Sequence, residues 1–318
     1  MLESGVDWFR FFWLLVAFRF MHDTHVHLEM LLQKLELLLL LDRENFEPKL
    51  LPEFSVSILD ELLTQHDFVI QATTSTGNFL LTYQLFSAHP KVKFLIGSHP
   101  EIIDQKFRVS DYLEQQRKQL LTQGFLSDLG DGDYQLNQGE TDSFGLKKIV
   151  GIGECGLDYH YTQDKEIIQK QWDLFESQLA LASFLHLPVA IHNRQAFVDT
   201  LAILQKFPQL AGQFVFHCFT AGIPELEQVL NLGGYISVGG IVTFKNAQQL
   251  VSVVEACPLE RLMIETDLPF LAPTPYRGQV CLPRYVAFVA EKIAEIKGLS
   301  VEVVWSKLTD TAISFWQT

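Results

Sequence analysis

A small set of side chains suited to metal binding and acid–base chemistry stands at the ends of short apolar runs: His25, His27, His99, Glu154, His192, His217 and Asp267. His25 and His27 are two residues apart, so on an extended strand both imidazoles point the same way and can share one ion. Glu154 closes Ile149-Val150-Gly151-Ile152-Gly153, the pattern of a strand buried on both faces. A carboxylate delivered there needs a compensating cation or metal, and the glycines around it let backbone or a bound group come close. Imidazoles and carboxylates together suit zinc, manganese, iron or cobalt, with magnesium admissible where oxygens dominate. Taken singly, a His-x-His pair or an acid at a strand-to-helix turn is an ordinary feature. Convergence of the whole set would not be, and convergence depends on the elements that carry them.

Those elements alternate. Phe18 to Met21 leads into Asp23-Thr24-His25-Val26-His27, Phe68 to Ile70 into Thr73-Thr74, and Val92 to Ile96 into Gly97-Ser98-His99-Pro100. The Glu154 strand follows, then Pro188 to Ile191 before His192, Phe214 to Phe216 before His217, Tyr235 to Val238 before Gly239-Gly240, and Leu262 to Ile264 before Glu265-Thr266-Asp267. Between them, residues 55–66, 78–89, 107–123, 164–186, 195–207, 247–256 and 282–297 have helical spacing, and Pro224 with Gly233-Gly234 brackets another helix. Strand and helix repeated in this way predict a closed parallel (β/α)8 TIM barrel of the α/β class, with strand C-terminal ends meeting at one mouth. An open doubly wound sheet would need fewer strands and a Gly-rich phosphate turn after the first, where this chain has His25 and His27.

The 318 residues are 48% hydrophobic, enough for a large single core, and the net charge of -14 argues against gripping nucleic acid by bulk electrostatics. Four cysteines without CxxC pairing, in a chain that needs no disulfides, point to a reducing cytoplasm. The apolar run from Phe11 to Phe18 is too short to span a bilayer, and the acidic start with no small-residue cleavage site argues against a signal peptide. Residues 1–17 are therefore expected to form an aromatic extension that packs on the body or contacts a protein partner, ahead of one barrel domain over 18–318. Two connections are long. Residues 30–53 contain a leucine-rich, helix-like stretch at 35–41, and residues 122–147 read as a solvated loop whose Asp131-Gly132-Asp133 lacks EF-hand spacing. His66 and His186 are read at helix C-termini, and Cys155 and Cys218 as small buried packing residues.

The ordered motifs Asp23 to Glu29, Gly153 to His160, Pro188 to Arg194, His217 to Gly222 and Glu265 to Leu271 resemble the TatD family, metal-dependent TIM-barrel hydrolases that include many deoxyribonucleases. Gly239 to Ala247 and Pro275 to Gly278 match too, so the resemblance covers roughly residues 18 to 316. It implies that His25, His27 and Asp267 hold one divalent ion (Mg, Mn or Zn), that His192 and His217 hold a second, and that Glu154 bridges them. Two such ions about 3.5–4 Å apart activate a water and clamp the attacked and leaving oxygens. It further implies Asp267 as proton acceptor, His99 as substrate contact or proton donor, Arg194 and Arg277 as phosphate anchors, and Tyr159 and His160 as mouth-lining residues. Val26, Glu29, Gln195 and the run Gln279-Val280-Cys281 depart from the family pattern and touch the substrate rim more than the metal ligands.

Three functions compete. A metal-dependent phosphodiesterase acting on DNA from single-stranded ends is first, a metallohydrolase of a small ester, amide or phosphorylated metabolite second, and a non-catalytic scaffold third. The intact ligand set argues against the last.

Overall fold

Runs rich in Val, Ile and Phe, each too short for a stable helix, form the strands. In the computed structural model, which describes residues 21–34, 51–130, 133–137 and 147–317, they are β1 (Met21–Val26), β2 (His66–Gln71), β3 (Val92–Ile96), β4 (Leu126–Gly130), β5 (Asp133–Leu136), β6 (Ile149–Asp158), β7 (Val189–Arg194), β8 (Phe214–Phe216), β9 (Tyr235–Val238) and β10 (Leu262–Ile264). Eight of them make one parallel sheet in the order β1-β2-β3-β6-β7-β8-β9-β10. Its two edges meet. Thr24 Oγ1 donates to the Ile264 carbonyl (2.9 Å), Asp267 N to His25 O (3.1 Å) and His27 N to Leu268 O (3.0 Å). The expected TIM barrel is therefore the observed fold, and the open sheet is excluded by this closure.

The surrounding helices are α1 (Leu28–Lys34), α2 (Leu51–Leu62), α3 (Thr76–Phe86), α4 (Val109–Thr122), α5 (Lys165–Leu185), α6 (Phe197–Leu204), α7 (Ile223–Asn231), α8 (Gln248–Ala256), α9 (Val286–Lys297) and α10 (Val301–Trp316). Their ends follow local chemistry. Asp164 caps α5 by accepting from Glu166 N (2.8 Å), and Gly298 ends α9 at φ 63°, where a side chain would be strained. Among the described residues no helix is long and apolar enough to cross a membrane.

Phe68, Ile70, Leu95, Val150, Ala190, Val215 and Met263 pack as one cluster with Phe315 and Trp316 of α10. The Trp316 ring seats against Gly151, where a Cβ would come within 2.8 Å of it. That helix lies beyond the last one read from the sequence. With this end of the barrel filled, the polar groups gather at the other, which is where the strand C-termini open.

Three expectations differ from the structure. The connection at 122–147 is not all loop: β4 and β5 pair antiparallel, and Arg117 of α4 donates to the Tyr134 hydroxyl at 2.6 Å. His66 does not end a helix but begins β2, fully buried. Cys155 is buried as expected, whereas Cys218 is half-buried at φ 45° and lines the mouth. The aromatic extension at 1–17 and the helix-like stretch at 35–41 lie outside the described residues.

Candidate metal centre

Glu154 stands at the centre of the barrel mouth, 4% exposed, with one oxygen turned to each half of a ring of imidazoles. Its Oε2 lies 3.4 Å from His25 Nε2 and 3.6 Å from His27 Nε2. Its Oε1 lies 2.8 Å from His217 Nε2, 2.9 Å from His192 Nδ1 and 3.4 Å from His99 Nε2. Asp267 Oδ1 completes the first half, 3.6 Å from His27 Nε2. The His25 and His217 rings stack with centroids 3.9 Å apart, which joins the halves. Ligand atoms from His25, His217 and Asp267, from His25, His27 and Glu154, and from His99, Glu154 and His192 each fall within 4.8 Å of one another. The strands explain the meeting: His25 lies on β1, Glu154 on β6 and His192 on β7, while His27, His99, His217 and Asp267 stand one to three residues past strand ends.

The donor set fits divalent cations. His25 Nε2 is buried with no hydrogen-bond partner although it faces a carboxylate. A buried polar atom left in that state costs about 1–3 kcal/mol, a cost that a coordinated cation removes. His25, His27 and Asp267 can hold one cation, His192 and His217 another, with one oxygen of Glu154 toward each.

Groups outside this ring orient it. Asp158, at the end of β6, places Oδ2 3.1 Å from His192 Nε2, so the ring presents Nδ1 to Glu154. Asp158 is itself held: Oδ1 accepts from His160 N (2.8 Å), and Gln171 of α5 grips its main-chain N and O, both at 2.9 Å. Glu265 accepts from Cys218 N (2.6 Å) and approaches His217 Nδ1 at 3.7 Å. Asp23 accepts from the Thr266 amide (3.0 Å) and hydroxyl (2.5 Å), tying the β1 motif to the Asp267 motif. His99 is fixed differently. Its Nδ1 accepts from Glu101 N (3.2 Å), so the neutral ring carries its proton on Nε2, facing the mouth.

The electrostatics divide the imidazoles. Burial pushes His99 down to about 3 and lowers His25, where His217 adds to the effect. Burial also opposes charge on His27, but the Asp267 hydrogen bond and the Glu154 charge overcome it and raise His27 to about 9. His217 is raised well above the usual histidine range, Glu154 outweighing burial. Glu154, which burial alone would raise, is held well below the carboxylate range by His217 and by hydrogen bonds from His192. Burial would raise Asp158 as well, and the His192 hydrogen bond lowers it.

The mouth is a cavity of about 540 Å³ lined by the ring except His25, and by Thr74, Tyr161, Arg194, Cys218 and Phe270, among others. Arg194 lines it. Tyr159 does not: its hydroxyl donates to Asp199 (2.9 Å) and accepts from Trp172 (2.5 Å), and it borders a separate cavity beside the mouth. His160 accepts from Gln195 Nε2 (3.2 Å) at the surface, and Arg277 stands 4.2 Å over the Phe244 ring, both off the mouth lining. Asp158, Tyr161 and Phe270 were not singled out from sequence. Asp158 carried a signal, standing four residues after Glu154 on one strand and thus of the same parity.

A parallel eight-stranded barrel with imidazoles and carboxylates gathered at its C-terminal mouth defines the class of cation-binding TIM barrels. The chain belongs to the TatD related DNase family, whose sequence profile matches residues 22–317. It is similar to the uncharacterized metal-dependent hydrolase YabD of Bacillus subtilis, 44% identical over 166 residues that make up 52% of this chain and 64% of that protein. The chain thus spans less than two thirds of the first curated relatives it matches. An uncharacterized metal-dependent hydrolase of Buchnera aphidicola is 30% identical over 90% of this chain and 94% of its own length. The fold also matches the crystal structure of the Escherichia coli TatD homolog YjjV, with TM-score 0.70 and 24% identity over 95% of this chain and 99% of that one.

Proposed function

We propose that this protein is a divalent-metal-dependent hydrolase that cleaves phosphodiester bonds of DNA, working from single-stranded ends, with Mg, Mn or Zn as its ions. The observation that carries the reading is Glu154: its two oxygens face two separate imidazole groups, the arrangement a bridging ligand needs. The naming of relatives as metal-dependent hydrolases and the description of the family as DNase support the chemistry and the substrate in turn. Four free cysteines agree with a reducing cytoplasm as its home.

When bound, the cations supply Lewis acidity toward phosphoryl oxygens and acidify the attacking water. The chain does the rest. Asp267, beside His27, accepts the proton of that water. His99, neutral with Nε2–H directed into the mouth, donates a hydrogen bond to a phosphate oxygen, and Asp267, once protonated, returns the water's proton to the departing alkoxide. Arg194 offers a guanidinium fork to the phosphate at the rim. Buried walls around Glu154 exclude bulk water and strengthen each of these contacts.

Metal analysis of the purified protein, paired with assays on end-labelled single-stranded DNA, tests the reading. Stoichiometric divalent metal and metal-dependent shortening of the label are expected. Turnover of a small ester with none of DNA would overturn the substrate while keeping the hydrolase. Failure to bind divalent metal would overturn both.

A further inference from the structure

Two exposed aromatic rings stand on opposite banks of the mouth. Tyr161, 72% exposed, follows β6 by three residues, and Phe270, 42% exposed, follows β10 by six. In the closed strand order β6 and β10 are four positions apart among eight, so the rings face each other across the barrel axis with the ligand ring between them. Each carries a cation. The Arg194 guanidinium lies 5.2 Å from the centre of the Tyr161 ring and 3.5 Å from its hydroxyl. Lys34 Nζ lies 4.7 Å over Phe270, whose amide is anchored on the Asp267 carbonyl at 3.0 Å and whose ring is 6.5 Å from His27. Both rings keep a face open to solvent at a polar mouth. A cation against one face leaves another to be stacked on and puts positive charge beside a neighbouring phosphate.

Resting on the nuclease reading above, we infer that Tyr161 with Arg194 and Phe270 with Lys34 are two nucleobase-stacking subsites. They hold unpaired bases on either side of the phosphate presented to the Glu154 centre. Bases inside a duplex have no free faces, so this geometry selects single-stranded nucleic acid. It also reconciles a strongly acidic chain with a polyanionic substrate, because stacking and two local cations replace bulk charge.

The test compares Tyr161→Ala, Phe270→Ala and the double variant in the metal-loaded full chain. The substrates are a short single-stranded oligodeoxynucleotide and the small diester methyl p-nitrophenyl phosphate. Each alanine should raise the oligonucleotide KM about 5- to 150-fold, leaving its kcat and both constants for the small diester near wild type. Tyr161→Phe and Phe270→Tyr should restore the KM. Wild type should quench an aminopurine-labelled strand on mixing, before turnover, and the double variant should not. A double variant that keeps the oligonucleotide KM and the quench overturns the subsites while leaving the nuclease intact. A wild type that hydrolyses the small diester but neither quenches nor cleaves DNA overturns the nuclease reading, and the subsites with it.

Discussion

Asp158→Ala removes the carboxylate that holds the far side of His192 and leaves the main chain in place, because Gln171 grips the backbone N and O of residue 158 whatever its side chain. Two bonds are lost: the 2.8 Å bond that Oδ1 accepts from His160 N, and the 3.1 Å contact from His192 Nε2 to Oδ2, shielded from water with Asp158 at 3% exposure. A hydrogen bond to a charged group is worth about 1.5–3 kcal/mol, and carboxylates behind a metal-binding imidazole govern about 10–100-fold in metal affinity. The two scales agree, since each 1.4 kcal/mol is about tenfold. The loss should fall on the cation held by His192 and His217, not on the one held by His25, His27 and Asp267. Zinc titration in competition with a chromophoric chelator separates the two affinities, and nitrogen NMR of the zinc-loaded protein reports which ring nitrogen of His192 is ligated. The expected result is one weakened site and a His192 ring no longer fixed with Nδ1 inward, with Asp158→Asn intermediate because its amide oxygen still accepts. Two unchanged zinc affinities in Asp158→Ala would refute the orienting role.

Glu154→Ala should cost binding of both cations and abolish hydrolysis while sparing the barrel, read by metal content and by circular dichroism; unchanged turnover would end the bridging role. His22 and His66 are buried neutral, each pushed down to about 3 chiefly by burial. Above the unfolded-chain value near 6.5 they do not affect the pH dependence; as pH falls from there toward 3 the unfolded state binds protons the fold refuses. Stability should then drop by about 1.4 kcal/mol per pH unit for each histidine. Urea midpoints from pH 7 to 4 should show a shallower fall in His66→Phe, and an identical slope would contradict the assignment. Tyr159→Phe breaks the Trp172–Tyr159–Asp199 chain away from the mouth. It should lower stability by about 1 kcal/mol with KM and kcat unchanged, and a raised KM would return Tyr159 to the substrate rim.

Much of the centre was legible because it obeys local rules. His25 and His27 share a face through strand parity, and each proposed ligand follows an apolar run that can only be a strand next to helical spacing. What was missed has physical reasons as well. His66 sits at a helix-to-strand boundary where either element explains it, and tertiary burial decided for β2. The β4–β5 hairpin has little apolar alternation to announce it, since Ser127 to Gly130 and Tyr134 to Leu136 are all at least partly open to water. Tyr159 and Tyr161 are near neighbours in the chain, and only the path of the chain after β6 turns the first toward Trp172 and the second into the mouth.

By itself the order of residues determined the alternation of elements, the closed barrel class and the identity of the side chains delivered to its rim, since periodicity and residue chemistry act over a few neighbours. Only the tertiary structure decided which oxygen of Glu154 faces which imidazoles, that Asp158 stands behind His192, and that Tyr161 and Phe270 oppose each other across the axis. Those relations are distances between groups far apart in the chain. They come into being when β1 meets β10 and the ring closes.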